Sequence, residues 1–436
     1  MATPRPGPRA RSRLTAIGAL LAATALVVAG CGRAGETDGP AAAPVTVDDS
    51  PATGTVTLWA PDGDATELDS VLAGFKEQNP ELDLQITLVP SDEYNTKLQT
   101  AIAAGTTPDI AFLYTEAQTQ FLATQAFTPV PDGLVDPSSF FEGSWAAGEM
   151  DGTVYSVPWY AYTRVLIYRK DFAEAAGVTA PTTWDETVPF FQALQRGGAV
   201  HGYGADVGWD TYNGQTLATF AHQAGATLLS EDGSAWKIDD PAVIEAAEFN
   251  ASFFTSGVAS PDTPQFLDSQ PYLVSGQTGS MISGPWVVAT LDTTAQQDGW
   301  TSAHIATAVL PAGPDNDSGQ LAGGSWGVTA ASANPQAAWK VVRAMAQEDT
   351  QVAQYAAAGS MPAVVAAWND PSIAGQPLLA PFLEQLKNVR PLPAVSTWNE
   401  VSTLLGKAME SVARGRQSAA DAMAEVQKQA DGIGTD

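Results

Sequence analysis

The sequence predicts an α/β protein, and two observations carry that prediction. In the first part of the folded region, three strand-like apolar runs alternate with two segments whose apolar residues recur at i, i+3 and i+4. This order is typical of right-handed βαβ units and a largely parallel sheet. The chain is also long, because about 380 residues follow residue 53 and 44% of all residues are hydrophobic. That length and composition predict two domains, each with its own core.

The first five elements follow one another closely. Residues 55–59 and 109–114 are strand-like apolar runs, and residues 82–88 alternate apolar and polar side chains as a half-buried strand does. Between them, residues 68–75 and 94–102 repeat apolar side chains at helical spacing. Asn79-Pro80 and Gly105 are stop signals for these two helices.

Acidic residues follow two of these strands. Asp62 and Asp64 come after the first strand, and Thr115 and Glu116 come after the third. Ligands of open α/β sheets bind beyond the carboxyl ends of the strands, so these side chains are candidates for ligand contacts. The alternative is that they form solvated acidic turns.

Later segments continue the alternation of strands and helices. Residues 164–170 predict another strand, and the last helix is predicted over residues 418–433 from its amphipathic pattern. Helix starts are predicted at two capping boxes and at two residue pairs that place proline at the first helical position: Thr183 to Glu186, Thr397 to Glu400, Asp240-Pro241 and Asn334-Pro335.

The N-terminus has the features of a secretory signal. Four arginines precede an apolar run at residues 14–28, which is too short to span a bilayer, for which about 20 residues are needed. The run ends in Val28-Ala-Gly-Cys31, which resembles a bacterial lipobox, and Cys31 is the only cysteine. We expect residues 1–30 to be removed and Cys31 to be lipidated, anchoring an extracytoplasmic protein to the outer face of the cell membrane. The alternative is an ordinary signal peptide with a chance cysteine.

Residues 31–53 are predicted to be the lipidated cysteine followed by a flexible linker, because residues 32–53 are rich in Gly, Ala, Pro and Asp without periodicity.

The charge of the chain argues against nucleic acid as a partner. The net charge is −28, and the first 30 residues carry four arginines and no acid, so the remainder carries −28 − 4 = −32. Such a surface repels phosphate backbones and anionic lipid headgroups. We therefore expect no nucleic acid, contact with the membrane only through the anchor, and a monomer.

Motifs for cofactors, metals and common catalytic sites are absent from the sequence. The three histidines are scattered, and neither Gly-x-Ser-x-Gly nor a phosphate-binding loop is present. We expect no cofactor, no metal and no enzymatic activity. A lipid-anchored glycoside hydrolase is the rival, since it also uses paired carboxylates and aromatic residues.

Several segments together resemble the extracytoplasmic solute-binding proteins of ABC importers, in the branch with maltose- and trehalose-binding proteins. The resemblance covers nearly all of residues 55–433, with the segments in the family's order. They are residues 75–80 (FKEQNP), 105–110 (GTTPDI), 157–159 (VPW), 166–171 (LIYRKD), 176–186 (AGVTAPTTWDE), 280–286 (SMISGPW), 323–327 (GGSWG), 334–339 (NPQAAW) and 415–422 (GRQSAADA).

This resemblance implies two α/β lobes, each a mainly parallel sheet flanked by helices, joined by a hinge of crossing strands. Lobe I is expected at residues 54–160 plus 325–358, and lobe II at 161–324 plus 359–436. The crossings are expected near residues 160–164, 323–326 and 359–362. Ligand would hold the lobes closed by contacting both.

The resemblance also implies aromatic contacts to a sugar. Trp286, in Gly-Pro-Trp, matches a sugar-stacking tryptophan of the family, and Trp398 matches a stacking aromatic at the start of a C-terminal helix. Trp326 follows Gly323 and Gly324, whose backbone amides could approach a ligand. For both Trp286 and Trp398 the alternative is core packing, and for the glycine pair it is a turn that serves the hinge.

Further candidates come from a loop and from polar positions. Trp209, Tyr212 and Asn213 lie in a predicted loop before a helix at residues 216–224, where relatives present aromatic residues. Tyr162 stands where relatives place a cleft carboxylate, so this chain departs from the pattern there. Asp62, Asp64 and Glu116 correspond to carboxylates that hold sugar hydroxyls, and Arg390 resembles an arginine that reaches the ligand.

From these patterns we expect a lipid-anchored binding protein that captures a di- or oligosaccharide and delivers it to the transmembrane subunits of an ABC permease, with the ATPase on a separate chain. A sugar phosphate, a glycerophosphodiester or another polar solute is the alternative ligand. A sensor or adhesion lipoprotein on the same fold is a further alternative.

Overall fold

A computed structural model describes residues 46–65, 67–91, 93–205, 208–262 and 268–435, with only the backbone of Asp64. Cys31 and the predicted signal peptide therefore lie outside the described residues. Within these ranges, the model contains no helix with both the length and the hydropathy of a membrane span.

Twelve strands are present in the described ranges. They are β1 (Gly54–Pro61), β2 (Leu82–Val89), β3 (Ile110–Tyr114), β4 (Glu149–Met150), β5 (Thr153–Val154), β6 (Ser156–Tyr162), β7 (Val165–Arg169), β8 (Ser280–Ser283), β9 (Ile305–Ala308), β10 (Gly319–Gln320), β11 (Ala322–Val328) and β12 (Val389–Arg390).

Nineteen α-helices cover much of the same ranges. They are α1 (Asp62–Ala65), α2 (Leu68–Val71), α3 (Ala73–Gln78), α4 (Tyr94–Ala104), α5 (Gln118–Ala123), α6 (Glu142–Ala146), α7 (Lys170–Ala176), α8 (Trp184–Gly197), α9 (Thr211–Gln223), α10 (Pro241–Thr255), α11 (Gln270–Ser275), α12 (Pro285–Ala295), α13 (Trp300–His304), α14 (Pro335–Met345), α15 (Glu348–Ala358), α16 (Pro371–Ala374), α17 (Ala380–Leu386), α18 (Trp398–Ala413) and α19 (Ala419–Ile433).

The first sheet has the strand order β2-β1-β3-β11-β6. β1 pairs in parallel with β2 and β3, which confirms the predicted βαβ units. β11 runs antiparallel to both β3 and β6, so β6 is parallel to β3. The carboxyl ends of β1, β3 and β6 therefore lie at one edge of this sheet.

The second sheet has the order β8-β7-β9, and it differs from the expected parallel arrangement. β7 pairs antiparallel with both of its neighbours. Val165, at the start of β7, is the register partner of Ser283, at the end of β8. The start of α12 is thereby placed close to the end of β6, since only two residues separate β6 from β7.

One of the four predicted helix caps is confirmed, because the Asp240 carboxylate accepts a hydrogen bond from the Ala242 N–H. Ser418, which was not predicted as a cap, accepts one from Asp421 at the start of α19. The other three predicted caps are wrong in detail: Glu186 instead accepts from Thr182, the Thr397 hydroxyl donates to the Gly434 carbonyl, and the Asn334 amide donates to the Thr53 carbonyl. The helices still begin there, because helical φ and ψ do not need a side-chain cap.

The three segments expected to cross between lobes lie side by side. Gly324 on β11 is the register partner of Tyr160 on β6. On the other side of β6, Tyr160 forms a bridge with Pro362, and the Ala161 N–H donates to the Met361 carbonyl at 3.0 Å.

Buried apolar side chains form two clusters. The first covers the five-stranded sheet and extends to the second sheet, α12 and α13, and the second gathers around α8, α9, α10, α18 and α19. The second sheet separates them, because Ile167 packs in the first cluster and Leu166 in the second. Residues 361–386 contribute to the first cluster and residues from Leu392 onward to the second, whereas we expected residues 359–436 to belong to one lobe.

Residues 46–53, which we name the strap, were expected in the flexible linker but are bound to α14. The ammonium of Lys340, 4% exposed, donates to the Asp48 carboxylate and to the Ser50 carbonyl, both at 2.6 Å. Ala52 is buried and its N–H donates to the Asn79 side chain at 2.6 Å. The linker predicted from composition therefore ends before residue 46.

Candidate functional site

A continuous series of aromatic rings runs from the first sheet to the start of α12. We name it the aromatic track, and its members are Phe112, Tyr114, Tyr160, Tyr162 and Trp286. Tyr114 and Tyr162 are the last residues of β3 and β6, so both stand at the edge where the carboxyl ends of the strands meet.

Adjacent rings of the track are in contact. Phe112 lies between Tyr114, at 5.0 Å and nearly perpendicular, and Tyr160, at 5.9 Å and stacked. Tyr160 stacks on Tyr162 at 6.1 Å, and Tyr162 meets Trp286 at 5.0 Å with an interplanar angle of 87°. These separations fall in the range that aromatic pairs favour.

Burial divides the track into an inner part and an outer part. Phe112 and Tyr160 are buried, whereas Tyr114, Tyr162 and Trp286 are half-buried. The outer three residues are therefore partly accessible, and each combines an aromatic ring with a hydroxyl or an indole N–H group. Such surface can stack against the apolar face of a sugar ring.

Gly323 and Gly324 are close to the track, but protein atoms already fill the space beside them. A Cβ at Gly324 would lie 1.9 Å from Cζ of Phe112, and one at Gly323 would lie 2.2 Å from the Tyr160 carbonyl oxygen. Gly323 also has a left-handed φ of +139°. These glycines make room for the track and for strand pairing. A contact between their backbone amides and a ligand stays a prediction.

Two predicted carboxylates stand at the same sheet edge as the track. Asp62 follows β1 and accepts hydrogen bonds from the Ser91 N–H and hydroxyl at 3.0 and 2.9 Å. The bond from the Ser91 hydroxyl lowers the pKa of Asp62, which keeps it ionised. Glu116 is half-buried two residues after Tyr114, and the Thr115 N–H between them donates to the Gly323 carbonyl at 3.1 Å. The Asp64 side chain lies outside the described residues.

Tyr212 and Asn213 lie in the first turn of α9, which begins earlier than the helix predicted from residue 216. Asp210 caps this helix, and the Asn213 side chain completes a capping box by accepting from the Asp210 N–H at 3.2 Å. Tyr212 is 37% exposed, and the guanidinium of the buried Arg164 lies 5.7 Å from its ring centre.

Arg164 brings a buried positive charge to this part of the second cluster. Its Nη2 donates to the Gln215 side chain at 3.1 Å. Two cavities of about 10 Å³ each border Arg164, and both are also lined by Thr216 and Ile282. Each has room for about one water molecule.

Trp209 lies before α9 with a left-handed φ of +51°. Its indole N–H donates to the Pro261 carbonyl at 3.2 Å, and its ring packs 5.5 Å from that of Phe254. These contacts hold the half-buried ring against the second cluster.

Trp326 and Trp398 are core residues in this structure. Each is 1% exposed. Trp326 contacts Phe112 at 5.2 Å, and Trp398 lies 6.3 Å from Trp236. A ring enclosed in this way presents no face to a ligand, so we leave both out of the proposed site.

Arg390 is exposed at the end of β12, paired with Gln320. Burial, and secondarily the charge of Arg390, lower the pKa of His222 to about 4. His222 lies ten residues after Tyr212 on α9, about 15 Å along the helix. Gln320, the register partner of Arg390, donates to the Gln215 side chain on α9 at 3.4 Å and lines a cavity beside Arg164.

Sequence reasoning missed Tyr114 and Tyr160 as members of the site. The available signal was an aromatic residue at the last position of a predicted strand, directly before Thr115 and Glu116. Tyr160 shares a face of β6 with Tyr162 because strand side chains alternate with a period of two. Its contact with Phe112 gave no sequence signal, because it depends on β11 pairing with both β3 and β6.

Similarity to known proteins identifies the family to which this chain belongs. The family model for bacterial extracellular solute-binding proteins matches residues 59–352. A binding protein of Brucella abortus (strain 2308) is 26% identical over 381 residues, covering 84% of this chain and 89% of the relative. A lactose-binding protein of Rhizobium radiobacter is 24% identical, covering 68% of each chain.

Solved structures give the same result for the fold. The sugar-binding protein MalE of Xanthomonas citri superposes with a TM-score of 0.80 at 28% identity, covering 87% of this chain and 97% of its own. The acarbose-binding GacH receptor of Streptomyces glaucescens has a TM-score of 0.73 at 22% identity, covering 86% and 97%, and shows the fold alone. The expected two-lobe α/β fold is thus confirmed, and the chain belongs to the bacterial extracellular solute-binding proteins of ABC transporters.

Proposed function

We propose that this protein captures a neutral di- or oligosaccharide between its two lobes and delivers it to an ABC permease driven by a separate ATPase. Lipidated Cys31 would hold it at the outer face of the membrane. The observation that carries the proposal is the aromatic track, whose half-buried outer rings lie on both sides of the predicted hinge and within it: Tyr114 at the end of β3, Tyr162 at the predicted crossing, and Trp286 on α12.

The chemistry of the track matches a sugar better than an apolar ligand. Tyr162 and Trp286 meet nearly at right angles, so a pyranose ring can contact one ring by its face and the other by its edge. Asp62 and Glu116, at the same sheet edge, supply oxygen acceptors for hydroxyl donors. Sugar sites in proteins combine such aromatic surface with a few polar groups.

The relatives support a carbohydrate as the ligand. Besides the lactose-binding protein and the MalE protein, a diacetylchitobiose-binding protein of Streptomyces coelicolor is 25% identical over 291 residues. Two of these relatives are named for different disaccharides, lactose and diacetylchitobiose. They therefore support a carbohydrate as the class of ligand, and experiment must identify the individual sugar.

An anionic ligand is the second candidate, and Arg164 is the observation that favours it. Its guanidinium is buried beside Tyr212, next to cavities with room for about one water molecule each. A phosphate or carboxylate that displaced the neighbouring side chains would gain a strong hydrogen bond there. The neutral sugar is preferred because Arg164 already donates to Gln215 and because the charge of −32 repels anions at long range.

Calorimetric titration of the chain from residue 32 onward tests the proposal. The ligands are maltose, trehalose, lactose, diacetylchitobiose and a glycerophosphodiester. We expect saturable binding of at least one sugar, weakened about tenfold or more in Trp286→Ala, because a buried tryptophan contact commonly contributes more than the free energy that a factor of ten requires.

Trp145→Ala is the matched control. Trp145 is also half-buried, but it stacks on Phe140 at 5.5 Å and is not part of the track. Its loss should leave affinity within about twofold, since it removes no contact to the ligand. Chromatography of the recovered sugar should show it intact. Hydrolysis of any sugar would contradict a binding function, and binding of only the phosphodiester would favour the anionic alternative.

A further inference from the structure

The backbone conformation of Gly284 does not require a glycine. It precedes α12 with φ −89° and ψ 176°, an extended conformation that any residue adopts. It occupies the N-cap, where Asn, Asp or Ser would stabilise the helix better than glycine does. Neither the backbone nor the helix therefore explains the missing side chain.

The indole of Trp286 explains it. A Cβ at Gly284 would lie 1.9 Å from Cζ3, 2.1 Å from Cη2 and 2.5 Å from Cε3 of Trp286, all atoms of the six-membered ring. Carbon atoms in contact normally stay about 3.5–4.0 Å apart. The ring thus occupies the space in which any side chain at position 284 would begin.

The other end of the aromatic track has the same arrangement. Gly324 leaves its side-chain space to Phe112, whose Cζ lies 1.9 Å from the hypothetical Cβ. One glycine therefore makes room for the ring at the sheet end of the track, and another makes room for the ring at the α12 end.

We propose that Gly284 is a positioning residue, which sets the orientation of Trp286 and through it the affinity for carbohydrate. This inference rests on the function proposed above. With a methyl group at position 284, the indole must rotate away from its present place and give up its perpendicular contact with Tyr162, now 5.0 Å between ring centres. The orientation of the aromatic surface that a sugar would contact then changes, although the tryptophan itself is still present.

The first test needs no ligand. In protein labelled with 5-fluorotryptophan, the ¹⁹F resonance of Trp286 is identified by its absence in Trp286→Phe. We expect Gly284→Ala to shift that resonance and to leave that of Trp236 unchanged, because Trp236 packs against Trp398 in the second cluster and donates to the Gly434 carbonyl. An unchanged Trp286 resonance in Gly284→Ala would overturn the inference.

The second test is affinity. We expect Gly284→Ala to weaken binding of the preferred sugar about tenfold, because forcing a ring from its packed position costs about as much as that factor represents. Gly74→Ala is the matched control: Gly74 lies in α3, and a Cβ there would meet no atom within 4 Å. Equal affinities of Gly284→Ala and Gly74→Ala would contradict a positioning role.

A second variant covers the case in which Gly284→Ala folds poorly. A phenylalanine ring is shorter than an indole and would vacate the space next to position 284. The thermal stability lost in Gly284→Ala should therefore be largely restored in the double variant with Trp286→Phe. A loss of the same size in both backgrounds would assign the effect to the helix cap and reject the inference. If the wild type binds no sugar, the proposed function fails, while the fluorine spectrum and this cycle still decide whether Gly284 positions Trp286.

Discussion

Phe112 is the residue on which the aromatic track rests. Its ring contacts Tyr94, Tyr114, Tyr160 and Trp326, and it is fully buried. Gly324, on the neighbouring strand, provides the space for it. The absence of a Cβ at Gly324 therefore determines whether the Phe112 ring can occupy its position.

We expect Gly324→Ala to lower the free energy of unfolding by about 1–3 kcal/mol, because the added methyl group overpacks a filled core position. Urea denaturation measures this change, with Gly74→Ala as the reference for a glycine whose Cβ space is open. An unfolding free energy of Gly324→Ala equal to that of the wild type would show that Phe112 can move aside without cost.

The strap is bound to α14, although its composition predicted a flexible linker. Lys340 on α14 and the Asp48 carboxylate form an ion pair at 2.6 Å, and Lys340 is almost fully buried. The hydrogen bond from Lys340 is the main cause that lowers the pKa of Asp48 from 3.8 to about 2, and bonds from Ser50 add to it. The ionised carboxylate is thus favoured in the folded protein.

This pKa predicts how the contribution of Asp48 depends on pH. Because the pKa is lower in the folded state than in the unfolded state, the contribution is complete above about pH 4 and is lost as the pH falls toward 2. The difference in unfolding free energy between wild type and Asp48→Asn should therefore shrink over that range. Asp49→Asn is the control, since Asp49 is 98% exposed at its ion pair with Arg343 and should change stability little at any pH. A pH-independent difference for Asp48→Asn would contradict the ion pair.

The net charge of the whole molecule affects how strongly it binds charged and neutral ligands. A net charge of −32 after residue 30 produces a field that salt screens, with a Debye length of about 10 Å at 0.1 M. A neutral sugar carries no charge for this field to act on. The proposed function therefore predicts an affinity that is nearly independent of salt.

Titrations of the preferred sugar in 0.05 and 0.5 M sodium chloride measure this. We expect dissociation constants within about twofold of each other, because neutral ligands release no counterions. A glycerophosphodiester is the comparison ligand. A strong salt dependence for the preferred ligand would show a charged contact and return attention to Arg164.

Much of the fold was predictable because it depends on local patterns. The period of apolar side chains placed β1, β2, β3 and α4 within a few residues of their observed bounds. The pattern at residues 68–75 was also helical, although the structure divides it into α2 and α3 at Leu72. The resemblance to binding proteins brought in Tyr162 and Trp286, two of the three outer rings of the track.

Tertiary structure decided what local patterns do not contain. Trp286, Trp326 and Trp398 each follow a recognisable motif, yet only Trp286 remains half-exposed, because burial depends on neighbours that are distant in sequence, such as Trp236 beside Trp398. The antiparallel second sheet and the docked strap likewise depend on partners more than 100 residues away. The sequence alone determined the alternation of elements, and its resemblance to a family predicted aromatic candidates for the site. Only the packed chain determined which rings meet, because contacts between distant residues form through packing that no local period encodes.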